Sequence, residues 1–215
     1  MSNTCINSIR IEGPEKDLLA LKDHINAVRK DKNACRYRNL YLLLLRLGYS
    51  EAETKKFDIR DDFTGGDSEI ENGILKLDTE SAWSFQCSGW EAVRKKFPAV
   101  SIYYLAEELG CCVFETNDTV GRHFPYKYCL DWWDENLCDG ETEYFNDDCS
   151  LIEYVHDHFD STVGTLEQAK KALQAFGETP DGNLANLTET QYNSEYELIA
   201  EDDCPIRPET QKDNR

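Results

Sequence analysis

The chain has 215 residues, of which 40% are apolar and 30% charged, a composition that closes a sizeable core and excludes an intrinsically disordered chain. Its longest apolar run, Leu40 to Leu45 with Tyr41 inside it, is far short of the roughly 20 residues that cross a bilayer, and Met1-Ser2-Asn3-Thr4-Cys5 has neither the basic nor the apolar stretch of a secretory leader, so a cytoplasmic protein is expected. The net charge of -19 is uneven: residues 1–60 hold 12 Lys/Arg against 8 Asp/Glu, whereas 61–215 hold 11 against 34, a balance that repels phosphates and attracts basic proteins.

Cys5 to Glu12 alternates, with Cys5, Asn7, Ile9 and Ile11 on one side, which predicts a half-buried strand. Gly13-Pro14 ends it and opens a helix, in which Leu18, Leu21, Ile25 and Val28 form one stripe. After a basic connection, Leu40 to Leu47 predicts a helix buried on most of its surface, and Ser50 with Glu53 forms a capping box for a further short helix. Asp61 to Asn72, with Gly65-Gly66 and five acids, reads as an exposed loop. A strand follows from Ile74 to Trp83, with Leu75, Leu77 and Trp83 on one face, and Ser88 with Glu91 predicts a capped helix closed by Pro98.

Val100, Ile102, Tyr104 and Ala106 alternate, and Cys111 to Thr116 reads as the returning strand of a hairpin. Phe124 to Trp132 carries Phe124, Tyr126, Tyr128, Leu130 and Trp132 on one face, with Pro125 at an edge or start. A turn at Asp139-Gly140 leads to a short acidic strand, Glu141 to Phe145. Two helices follow, one capped by Ser150 with Glu153 and burying Leu151, Val155 and Phe159, the other capped by Thr165 with Gln168 and burying Leu166, Ala169, Leu173 and Phe176. From Gly177 onward an acidic, loosely attached tail is expected, with one edge strand near Tyr192 to Ile199.

This order favours an α+β ferredoxin-like sandwich, a mostly antiparallel sheet with helices packed on one face. The expected organisation is a single domain over 1–176, with a helical insertion at about 33–60 and further C-terminal helices, then the tail 177–215. The run Asn3-Thr4-Cys5-Ile6-Asn7 to Ile11 and Gly13, with Ser81-Ala82-Trp83-Ser84, Gly89-Trp90-Glu91, Phe97-Pro98, Ile102 to Tyr104 and Glu107-Glu108, resembles the YubB-type ferredoxin-like proteins of conjugative plasmids and bacteriophages. The likeness covers roughly residues 3–132; Phe85-Gln86 stand where that family has prolines. It implies a ferredoxin-like fold without an iron-sulfur cluster, and residence on a mobile element, where genes that counter host defences are common neighbours.

No nucleophile with its base, phosphate loop or dinucleotide fingerprint stands out, so no catalytic residue and no cofactor are assigned. The nine cysteines are odd in number and unevenly spread, and are expected to be mostly reduced. A zinc site from Cys138, Cys149, His156 and His158 lacks paired-ligand spacing; Cys111-Cys112 face opposite ways on a strand; and a calcium loop around Gly140 puts Leu137 at a ligand position. A metal-dependent hydrolase is therefore the third reading of function. The second is nucleic-acid binding through the basic segment 29–46, with Arg29, Lys30, Lys32, Arg36 and Arg38 beside Tyr37 and Tyr41. The first is a non-enzymatic factor whose acidic block docks on a basic, nucleic-acid-handling partner. Residues 131–160 hold 11 carboxylates and no Lys or Arg. The docking residues expected are Asp131, Trp132, Trp133, Asp134, Glu135, Asp139, Glu141, Glu143, Asp147 and Asp148, the aromatic ones as anchors.

Overall fold

A computed structural model describes residues 4–31, 38–108, 113–179, 182–193, 196 and 198–200. The chain divides into two compact units, one built on Ile6–Tyr104 and the other on Leu105–Asn193, where a single domain followed by a tail is expected. The result is mixed α+β, with mostly antiparallel sheets and six α-helices among the described residues.

β1 (Thr4–Glu12), which lies in the first unit from Ile6 onward, buries Cys5, Asn7, Ile9 and Ile11. Pro14, next after Gly13, is the N-cap residue of α1 (Glu15–Arg29), which buries Leu18, Leu21, Ile25 and Val28; the predicted stripe is the observed one. The insertion holds α2 (Asn39–Arg46), burying Leu40, Leu43 and Leu44, and α3 (Glu51–Thr54), where both arms of the Ser50–Glu53 capping box form. A 3-10 turn, Lys55–Phe57, follows.

Three readings need correction here. Asp61 to Asn72 is not a loop: Asp61–Glu71 is strand β2, antiparallel to β3 (Ile74–Ala82), with a register shift between Thr64 and Glu69 that absorbs the glycines. The buried face of β3 is Leu75, Leu77, Thr79 and Ser81, while Trp83 lies beyond the strand, 62% exposed. The Ser88–Glu91 box does not form, because α4 (Cys87–Lys96) already begins before Ser88, with Gln86 at its N-cap. β4 (Ser101–Glu108) belongs to this unit as far as Tyr104, and the strand order is β2-β3-β1-β4. The core is aromatic as well as aliphatic: Phe85 stacks on Tyr104 at 3.9 Å and on the fully buried Trp90 at 6.3 Å.

In the second unit, β4 from Leu105 pairs antiparallel with β5 (Val113–Thr116), completing the predicted hairpin; Cys111-Cys112 lie outside the described residues. A three-stranded sheet, ordered β7-β6-β8, is formed by β6 (Tyr128–Asp134), β7 (Asp139–Phe145) and β8 (Leu184–Glu189). Thus the stretch after Gly177, expected as a loose tail, supplies β8, and β9 (Gln191–Tyr192) runs parallel to β5. The strand foreseen from Phe124 begins only at Tyr128, and the turn lies at 135–138, so Asp139-Gly140 is already in β7.

Helices α5 (Asp148–His158) and α6 (Leu166–Gly177) bury Leu151, Val155, Ala169 and Leu173 against Tyr128, Leu130 and Phe145 of the sheet. Thr165 caps α6 as expected, accepting from Gln168 N–H. The cap of α5 is Asp147 rather than Ser150: its carboxylate accepts from Ser150 N–H at 2.8 Å, and an acid there also suits the helix dipole. Phe159 and Phe176 are half-buried, edge-on to each other with ring centres 5.0 Å apart.

Candidate partner-docking surface

Successive residues of a strand face opposite ways, and this splits the acidic block. Trp132 points to the helices, with its ring edge-on to Phe159 at 5.5 Å and to Phe176 at 6.4 Å, and its Nε1 donates to the Tyr154 hydroxyl at 3.0 Å. It is therefore half-buried against the core of the second unit, where an exposed anchor is expected. Trp133 faces the other way with Asp131, and is 40% exposed. It sits opposite Gly140 on β7 and Leu184 on β8. Leu184 is 41% exposed and Leu137, in the turn, 72%, so three apolar side chains stand in water beside Asp131 and Glu135, while Glu141 and Glu143 lie on the face of Trp132.

Most of these acids have a local role. Asp131 accepts from the Thr142 hydroxyl at 3.1 Å; Asp134 shapes the turn by accepting from Asn136 and Leu137 N–H; Glu135 accepts from Trp133 Nε1 at 2.9 Å; Asp139 accepts from Gly140 N–H; and Glu141 accepts from the Tyr154 hydroxyl at 2.8 Å. Glu143 is half-buried on β7. Among the described residues, Asp148 is the member of the proposed set that pairs with a cation, Lys127 Nζ at 2.6 Å, and it also accepts from the Tyr128 hydroxyl. Neutral donors orient Asp131, Asp134, Glu135, Asp139, Glu141 and Asp147 without cancelling their charge.

Electrostatics follow from these contacts. The Ser150 backbone hydrogen bond holds Asp147 below the usual carboxylate range, and Lys127 does the same for Asp148. Burial, then the bond to Glu141, raises the Tyr154 phenol. Beneath the sheet, Glu107 is raised by burial, and the Tyr144 hydroxyl donates to it at 2.7 Å. Desolvation pushes the buried Cys129 thiol up to about 12, which removes it as a nucleophile at neutral pH.

The basic segment is divided too. Arg29 donates to Gly65 C=O at 2.8 Å and lies over the Phe63 ring, bracing β2. Lys30 and Arg38 are exposed, Arg38 over the Tyr41 ring at 5.4 Å; Lys32 and Arg36 lie outside the described residues. Among the described residues no group of three or more His, Cys, Asp or Glu is placed to hold a metal. His158 stacks on Tyr154 at 4.1 Å and His156 meets Val163 C=O, while Cys138 and Cys149 are free and exposed. No described helix is long and apolar enough to cross a membrane.

The residues that sequence reasoning missed are Tyr154, whose hydroxyl links Trp132 to Glu141, Leu137 in the turn, and Leu184, which comes from the presumed tail. Tyr154 carried a signal, being one turn before His158 on a predicted helix; Leu184 carried none. No protein-family model, no curated protein and no solved structure matches this chain.

Proposed function

We propose that this chain is a non-enzymatic, protein-binding factor whose β6–β7 hairpin docks on a basic, nucleic-acid-handling partner. The observation that carries this reading is the company of exposed Trp133, Leu137 and Leu184 with carboxylates held by neutral donors. Apolar side chains supply contact area, and uncancelled charge supplies attraction and orientation. We also read the first unit as ferredoxin-like: β1-α1-β2-β3-α4-β4 with strand order β2-β3-β1-β4 supports that architecture. A mobile-element origin and a role against host defences rest on the YubB-type resemblance alone.

The test is affinity capture from bacterial lysate at low and high salt, comparing the natural chain with Glu135→Lys/Asp139→Lys/Glu143→Lys. A basic protein held at low salt by the natural chain and lost from the variant is the expected result. Equal capture by both proteins, or none by either, rejects the proposal. Direct nucleic-acid binding by residues 29–46 is favoured only by the exposure of Lys30 and Arg38, since Arg29 is committed to β2.

A further inference from the structure

A strand at the border of a sheet presents unpaired N–H and C=O groups, which proteins usually blunt with bulges, cover or charge. In the first unit, β2 is broken by its register shift, and α1 reaches it: Arg29 donates to Gly65 C=O and Asn26 Oδ1 accepts from Ser68 N–H. In the second unit, β8 is approached so closely by the end of α6 that a Cβ on Gly177 would stand 3.2 Å from Ala185 N. β7 is treated differently. Its seven residues pair with β6 on one side, and no described strand pairs on the other.

Register identifies the groups left outward. Phe145 C=O accepts from Lys127 N–H at 2.7 Å, so the odd-numbered residues of β7 turn their backbone to β6, while Gly140, Thr142 and Tyr144 turn theirs away. Two contacts agree with this. The Thr142 hydroxyl reaches Asp131 directly opposite, the close spacing of a non-hydrogen-bonded pair, and Gly140 N–H is taken by its neighbour's carboxylate. Between them, Asp139, Glu141 and Glu143 repeat one sign at every second position. Two copies meeting at β7 in antiparallel fashion would set carboxylate against carboxylate, which disfavours self-pairing; the same spacing favours a strand with cations at alternate positions.

Resting on the docking reading above, we infer that β7 is a strand-addition site. An extended segment of the basic partner, with Lys or Arg at every second residue, pairs with the edge from Gly140 to Tyr144 as a fourth strand. Main-chain bonds supply the hold, and its cations lie beside Glu141 and Glu143.

The probe is a labelled peptide of about eight residues alternating Lys with Val and Thr, read by fluorescence anisotropy at low salt. It is compared with versions methylated on alternate backbone nitrogens in each of the two registers, and with protein carrying Thr142→Pro, which a border strand accommodates. The unmodified peptide is expected to bind. Methylation in one register, and Thr142→Pro, are each expected to weaken it by about tenfold or more. If neither change matters while salt and Glu143→Gln abolish binding, strand addition is overturned and acidic docking stands. If the unmodified peptide does not bind at all, both fall. Sedimentation showing that β7 joins two copies, lost in Thr142→Pro, would also overturn the inference; should that variant fail to fold, the methylated peptides decide.

Discussion

In the unit built on Ile6–Tyr104 a carboxyl is sealed inside a polar ladder, whereas in the unit built on Leu105–Asn193 carboxylates stand on a hairpin and are steered by neutral donors. Asp61 is fully buried. Its Oδ2 accepts from the Thr79 hydroxyl at 3.2 Å, and the Asn7 amide donates to Thr79 and to Ser81. Among the described residues its Oδ1 and the Trp90 Nε1 have no well-aligned hydrogen-bond partner, although the indole is near enough to temper the charge. Desolvation therefore holds the Asp61 carboxyl well above its ordinary range, and a protonated acid serves there as a neutral polar group. The same side-chain chemistry thus serves interior shape in one unit and surface field in the other, and burial decides which.

The largest expected effect tests how strictly the hairpin is built. A Cβ on Gly140 would fall 2.8 Å from Trp133 Cα and 2.9 Å from its Cε3, against backbone and ring rather than a yielding side-chain tip. Gly140→Ala is expected to destabilise the second unit by about 1–3 kcal/mol, as overpacking does, measured by urea denaturation with tryptophan fluorescence. An unchanged midpoint would mean that the hairpin yields freely, and the contrast with the rigid ladder around Asp61 would sharpen.

That glycine shows how far the sequence was legible. Strict periodicity was readable: the stripe of α1 and the alternation of β1 emerge as drawn, because one apolar face at the right spacing leaves one way to bury it. Position within a turn was not. Asp139-Gly140 looks like a turn, yet Asp134 builds the turn earlier through Asn136 and Leu137, and Gly140 is needed for the approach of Trp133. β2 was hidden for a related reason, since a bulge lets glycines and acids sit within a strand. The acidic residues of the site were visible as composition. Their division between faces was not, because one residue of register separates Trp132, packed against the helices, from Trp133 in solvent. Which edge stays open depends on α1 reaching β2 in one unit and α6 reaching β8 in the other, and no local pattern encodes it.

A middle-sized effect addresses the buried acid. The folded state holds the Asp61 proton more tightly than the unfolded chain, so above the ordinary Asp range, about 3.9, folding must take a proton up. Stability from this group is complete below that value and is lost as pH rises toward the raised folded value, at a limiting slope of about 1.4 kcal/mol per pH unit. Asp61→Asn, which keeps the shape and the acceptor, is expected to flatten that slope and to gain on the natural chain as pH increases. Parallel urea titrations across that range measure it. Identical pH profiles would show that the carboxyl is ionised in the fold, and the contrast between the two units would be gone.

The smallest effect has the opposite sign. Trp83 has φ 75°, and Ser84 N–H donates to Ala82 C=O at 3.0 Å across it, the strained form of the three-residue turn. The loop is pinned regardless: the Ser81 hydroxyl and the Gln86 amide both donate to Ser84 C=O, and Arg60 N–H donates to Gln86 Oε1. With its indole 62% exposed, little packing offsets the strain. Releasing it contributes about 1–3 kcal/mol, and the freer unfolded chain of a glycine takes back about 0.5–1 kcal/mol. Trp83→Gly is therefore expected to raise stability by roughly 1 kcal/mol, seen as a higher urea midpoint with an unchanged slope. A lower midpoint would mean that the indole packs in solution despite its exposure, and the first unit would then owe part of its stability to a surface aromatic residue, as the second does to the Trp133 hairpin.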